Sequence, residues 1–151
     1  MSGNGIIPYF LDLDQSPKIM QMPGLETTIL TGLRGEQMMM VLNATLPGHE
    51  VPAHSHPHEQ IGMVYSGRAR LTIGEKERLV ETGDFYCVPA NVPHSDLCIG
   101  EEPFVMLDIF YPVREDLIAR LMGATARTSR TTSYCEDTGA SSGVLHPVSV
   151  V

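Results

Sequence analysis

Basic residues are scarce in this chain, and so are cysteines and long apolar runs. Ten Lys and Arg stand against 18 Asp and Glu, a formal charge of −8. That balance excludes the basic surface that nucleic-acid phosphates demand, and it argues against an anionic membrane as partner. No apolar stretch approaches the ~20 residues needed to span a bilayer. The N-terminus, Met1-Ser-Gly-Asn-Gly-Ile-Ile-Pro8, lacks the basic start and apolar core of a secretory signal. Cys87, Cys98 and Cys135 are few and odd in number, which argues against a disulfide framework and fits a reducing cytoplasm. At 151 residues with 42% hydrophobic content, the chain can bury one core. No internal repeat or second domain is visible.

What the chain does have is histidine at strand spacing. In His54-Ser-His56-Pro-His58-Glu-Gln60, strand alternation would turn His54 and His56 to one face. Gln60 shares their parity and can supply an oxygen. A third imidazole follows Gly83-Asp-Phe-Tyr86-Cys-Val-Pro89-Ala-Asn91-Val-Pro93, at His94, where Pro89, Asn91 and Pro93 make a turn that aims it. Three imidazoles with one oxygen suit a single divalent ion (Zn, Fe, Ni or Mn) and leave positions open for water or substrate. His58 has the same parity, but Pro57 interrupts pairing there, so it reads as a supporting or surface residue. His49 and His146 read as solvent-exposed. Cys87 and Cys98 read as small core residues.

These stretches resemble two family motifs. Gly48, five residues, His54-x-His56, three residues, Gln60, six residues, Gly67 resembles the first cupin motif. Gly83, five residues, Pro89-x-Asn91, two residues, His94 resembles the second. Gln60 stands where many cupins carry Glu, and Asn91 where Gly is usual; Asn tolerates the left-handed conformation better than most residues. The resemblance implies an all-β fold, a single cupin jelly-roll barrel.

Punctuation by Gly, Pro and Asp agrees with that. Residues 26–30, 37–45, 60–65, 68–73, 78–80, 85–88 and 104–110 read as strands, with tight turns at Ser66-Gly67 and Gly74-Glu-Lys. So many short strands indicate a barrel or sandwich. Met38, Met39 and Met40 read as flexible core filler. Residues 113–122 carry Leu117, Ile118, Leu121 and Met122 at helical spacing, with Gly123 as C-cap, so a short helix is expected on the outside of the barrel. The domain is therefore drawn as 1–123, with the barrel at about 25–111. Residues 124–151, rich in Ser, Thr and Gly, form a C-terminal tail. Exposed sheet edges favour pairing, and family habit adds to the expectation of a homodimer, with N-terminal strands or the tail crossing between subunits.

A second constellation lies at Asp108-Ile-Phe110-Tyr-Pro-Val-Arg114. Spacing alone allows Asp108 and Arg114 to pair with each other or with solvent. A first motif of the HPHEQ type followed by D-x-F-x3-R is similar to the small pectin-degradation cupins that ketonise unsaturated uronates. That resemblance implies metal ligation by His54, His56, Gln60 and His94, with Asp108, Phe110 and Arg114 in the active site. Asp108 would move a proton and Arg114 would hold a substrate carboxylate. Tyr65 is assigned to the substrate pocket, and Tyr65 and Tyr86 are reserve candidates for the proton shuttle. With only neutral ligands the ion keeps its full charge and is a stronger Lewis acid. The expected protein is a metal-dependent isomerase- or lyase-type enzyme acting on a small carboxylated or polyhydroxylated substrate. Alternatives are a non-haem iron dioxygenase, a polyketide cyclase-type cupin and a metal- or ligand-binding module without turnover.

Overall fold

The computed structural model describes residues 9–132. Ten strands precede one helix: β1 (Lys18–Met22), β2 (Leu25–Ile29), β3 (Met39–Thr45), β4 (Glu50–His54), β5 (Glu59–Ser66), β6 (Arg68–Ile73), β7 (Lys76–Glu81), β8 (Phe85–Val88), β9 (His94–Cys98), β10 (Phe104–Tyr111) and α1 (Glu115–Thr132). The strands form two antiparallel sheets, one of order β1-β2-β3-β10-β5-β8 and one of order β4-β9-β6-β7. This is the jelly-roll sandwich that the resemblance implied.

Alternation decides which side chains enter the space between the sheets. In β3, Met39, Val41, Asn43 and Thr45 are buried while Met40, Leu42 and Ala44 face outward. In β10, Phe104, Met106, Asp108 and Phe110 point inward in the same way. One cluster, built on Val64, Ala69, Leu71, Val80, Phe104 and Met106, joins the two sheets. A second gathers Ile19, Ile29, Met39, Val41 and Phe110 around Leu117 of α1.

Three strands depart from the sequence expectation. β1, β4 and β9 lie outside the seven ranges given above, although His54 and Cys98 read as strand-like; KIMQM and HSDLC carry polar residues and EVPAH carries Pro52. β4 is an edge strand, the position where a missing N–H costs least. Gly67 joins β5 to β6 at φ 83°, and a Cβ there would lie 2.4 Å from the Pro103 carbonyl oxygen. Only glycine fits that passage between sheets.

The helix also departs from expectation. It starts at Glu115, with Glu115 and Asp116 in the first turn, where acidic side chains complement the positive end of the helix dipole. It continues through Gly123 to Thr132 rather than ending there. A glycine caps a helix by adopting positive φ, and Gly123 is not among the glycines that do so. Residues 124–132 are thus helical, and the remainder of the expected tail, with Cys135 and His146, lies outside the described residues. As expected of an amphipathic helix, α1 packs on the barrel by one face. Leu117 is 1% exposed within the second core cluster, so the helix closes one end of the space between the sheets. Among the described residues no helix is long and apolar enough to cross a membrane.

Candidate metal centre

His54, His56 and His94 come together, with one ligand atom from each lying within 4.8 Å of the others. Strand parity is not what unites His54 and His56. β4 ends at His54, and His56 lies in the connection to β5. His54 pairs directly with His94 across β4 and β9, whereas His56 reaches the same point from the loop. The Asn91 N–H donates to the His56 carbonyl at 2.8 Å. Asn91 adopts φ 65°, the left-handed conformation expected of it, so the turn before His94 also fixes the loop that carries His56.

All three imidazoles are oriented alike. Nδ1 of His54 faces the Pro52 carbonyl at 2.9 Å, Nδ1 of His56 the His58 carbonyl at 3.1 Å, and Nδ1 of His94 the Val92 carbonyl at 2.9 Å. A carbonyl can only accept, so each Nδ1 carries the proton and each Nε2 presents a lone pair. Backbone acceptors of this kind commonly orient metal-bound histidines. Burial, followed by the charges of Arg114 and His94, pushes His56 down to about 4, and burial likewise lowers His94. Both rings are neutral near pH 7, as ligation requires.

Gln60 lies beside the three imidazoles. Its amide nitrogen donates to Asp108 Oδ1 at 2.8 Å, which turns its carbonyl oxygen to His56 Nε2 at 3.2 Å. Two buried acceptors then face each other with no proton between them. Their lone pairs call for a cation, and this donor set of three nitrogens and one oxygen fits a divalent ion.

Asp108 is fully buried and lies behind this group. It receives Nδ2 of Asn43 at 2.7 Å, Nε2 of Gln60 at 2.8 Å and the Tyr86 hydroxyl. Thr27 in turn donates to Asn43 Oδ1 at 2.5 Å. Burial raises Asp108 above the usual carboxylate range, while the three donors oppose that shift. Asp96, inward on β9, receives the Thr45 hydroxyl at 3.2 Å and is pushed up to about 7, chiefly by burial. Both carboxylates line a cavity of about 360 Å³ together with Asn43, Gln60, Tyr86 and His94.

Arg114 and Asp108 do not pair. The Arg114 fork grips Asp116 through Nε at 2.8 Å and Nη2 at 2.7 Å, and its guanidinium lies 5.0 Å from the Phe110 ring centre. Phe110 packs edge-on against His56, with ring centres 5.5 Å apart. Phe110, Arg114 and Asp116 all line the cavity.

Tyr65 does not reach it. It alternates with buried Val64 on β5 and is 56% exposed on the outer face of the sheet. Tyr86, inward on β8, does line the cavity. Cys87 is likewise exposed rather than buried, one residue out of phase with Tyr86, whereas Cys98 is buried. His58 is half-buried and supports His56 through its backbone carbonyl; His49 is exposed. Asn43, Asp96 and Asp116 escaped the sequence reading. For Asn43 and Asp96 the available signal was a polar residue at an inward strand position, two residues from Val41 and His94 respectively.

Residues 44–110 match the cupin domain family model. The H2HPP isomerase of Bacillus subtilis is 29% identical over 109 residues, 70% of this chain and 43% of that protein, so the chain spans less than half of that relative's length. An RmlC-like cupin from Shewanella frigidimarina has a TM-score of 0.65 at 25% identity, over 74% of this chain and 96% of its own. KdgF from Halomonas sp. has a TM-score of 0.65 at 23% identity, over 74% of this chain and 99% of its own. The jelly-roll order of the strands, the family match across β3 to β10 and these likenesses agree: residues 44–110 match a cupin domain, and the chain resembles KdgF in fold.

Proposed function

We propose that this chain is a metal-dependent isomerase-type enzyme that relocates a proton within a small carboxylated or polyhydroxylated substrate, as in the ketonisation of an unsaturated uronate. One observation carries the reading. Gln60 joins the three-histidine group to a buried carboxylate, its oxygen turned to His56 and its nitrogen bound to Asp108. Proton transfer and ligation are thus held in register by a single side chain.

His54, His56, Gln60 and His94 would hold one divalent ion (Zn, Fe, Ni or Mn), which when bound polarises a substrate oxygen as a Lewis acid. Asp108, kept in place by Asn43 and Tyr86, takes the proton from an enol hydroxyl and returns it to the neighbouring carbon. The enol becomes a ketone with no net oxidation or reduction. Arg114 would receive the substrate carboxylate; its fork already holds a carboxylate, that of Asp116, in two hydrogen bonds. Phe110 supports the guanidinium and excludes water from one wall. The isomerase name of the Bacillus relative supports this class over redox chemistry. The small number of cysteines supports a cytoplasmic location.

The test is a screen of unsaturated uronates and related enols with the metal-loaded protein in deuterated water. Incorporation of one deuteron at carbon, without oxygen uptake, is the expected result. Oxygen consumption coupled to substrate loss would replace this reading with a dioxygenase. Binding of every candidate without turnover would replace it with a binding module.

A further inference from the structure

Asp96 is a buried carboxylate that the proposed reaction leaves unused. It points into the space between the sheets from β9 and is 6% exposed. The Thr45 hydroxyl donates to its Oδ1 at 3.2 Å, and among the described residues no second donor reaches it. The charges that act on it, those of Asp108 and Glu50, are both negative. Asp108, by contrast, receives three donors. Asp96 also stands outside the three-histidine group. A buried carboxylate with one neutral donor and no cation is short of partners. Asp96 lines the cavity, so the missing donor comes from whatever fills it.

The surroundings of Asp96 narrow what that occupant is. Asp96 lies directly opposite Val51 on β4 and Leu71 on β6, and both line the cavity, as does Met106. Leu71 and Met106 belong to the first core cluster. The cavity wall beside Arg114 carries Phe110 and Leu117 of the second cluster instead. One end of the cavity is thus cationic, and the other holds an acceptor set in an aliphatic wall. A skeleton with many hydroxyls would press several of them against that wall without partners, at a cost for each.

We propose that Asp96 is a substrate-binding residue that accepts a hydroxyl at the end of the substrate remote from its carboxylate. The substrate is then a hydroxy acid with an apolar skeleton between its two polar ends. This deepens the isomerase reading and rests on it for the placement of the carboxylate at Arg114. A hydrogen bond from a hydroxyl to a carboxylate is among the stronger kinds, and an analogue without the hydroxyl would leave Asp96 unpaired.

Calorimetric titration of the metal-loaded, full-length protein tests this, with terminal hydroxy acids of graded chain length as probes, each against the alkanoate of equal length. At the best-fitting length the wild type should favour the hydroxy acid by roughly tenfold or more, the worth of a hydrogen bond to a charged group. Asp96→Leu, close in size but without an acceptor, should bind the two acids alike while metal content and circular dichroism stay at wild-type values. Asp96→Asn serves if that variant fails to fold; it should cut the preference several-fold, because a charged acceptor makes the stronger bond. Equal wild-type affinity for both acids at every length overturns the proposal, as does binding of neither. A preference undiminished in the variants overturns it too, and loss of metal in Asp96→Leu would assign Asp96 to the metal centre instead. Failure of the isomerase reading is seen separately, as absence of deuterium incorporation, and leaves these affinities as they are.

Discussion

Tyr86 reaches Asp108 by lying across the backbone of Gly62. The three residues are neighbours in one row of the sheet, Asp108 opposite Gly62 and Gly62 opposite Tyr86. A Cβ at position 62 would fall 2.2 Å from Tyr86 Cζ, so only a residue without one lets the phenol cross the strand to its carboxylate partner. Tyr86→Phe leaves Asp108 one donor short and should destabilise the fold by about 1–3 kcal/mol. Gly62→Ala should cost more, because overpacking adds about 1–3 kcal/mol to the lost hydrogen bond. Urea denaturation of both variants measures this, and equal midpoints for Gly62→Ala and wild type would remove the contact from the account.

Asp108→Asn should keep fold and metal but lower turnover by about two to four orders of magnitude, the usual worth of a general acid or base. An amide in that position cannot carry the proton, although it still fills the space among Asn43, Gln60 and Tyr86. Kinetics beside metal analysis separates the roles. A wild-type rate would move the proton shuttle to another group, with Tyr86 and Asp96 the nearest in the cavity.

Arg114→Lys should raise KM more than it lowers kcat, because an ammonium cannot reproduce a two-pronged hydrogen bond. Asp116 occupies that fork now. Asp116→Asn should therefore lower KM several-fold for a carboxylated substrate by removing an internal competitor. If KM stays unchanged in both variants, substrate does not meet Arg114.

The motif spacing picked out His54, His56, Gln60 and His94, which the fold brings together, because the family pattern fixes their positions whatever the local backbone does. The strand-parity argument for His54 and His56 had a different fate, since β4 ends at His54 and a loop delivers His56. Pro57 marked that break in the sequence. Strands with clean alternation, such as β3 and β10, were readable from hydrophobic pattern. β1, β4 and β9 were not, because their inward positions include polar groups that serve the cavity or their edge position tolerates proline. Gly123 misled in the other direction: glycine ends a helix only when its backbone turns left-handed, and sequence does not state φ. Tyr65 and Tyr86 looked equivalent until the register assigned each to a face. The hydrogen bonds converging on Asp108 join residues from β3, β5 and β8, and no local pattern reports such long-range partners.

The central claim is that His54, His56, Gln60 and His94 hold one divalent ion. Elemental analysis of the purified full-length protein, set against a His54→Ala, His56→Ala double variant and a His58→Ala variant, tests it most directly. The wild type should carry one ion per chain and the double variant almost none. His58→Ala should keep its metal, because the hydrogen bond that residue 58 offers His56 comes from its backbone carbonyl. Full metal in the double variant would contradict the account.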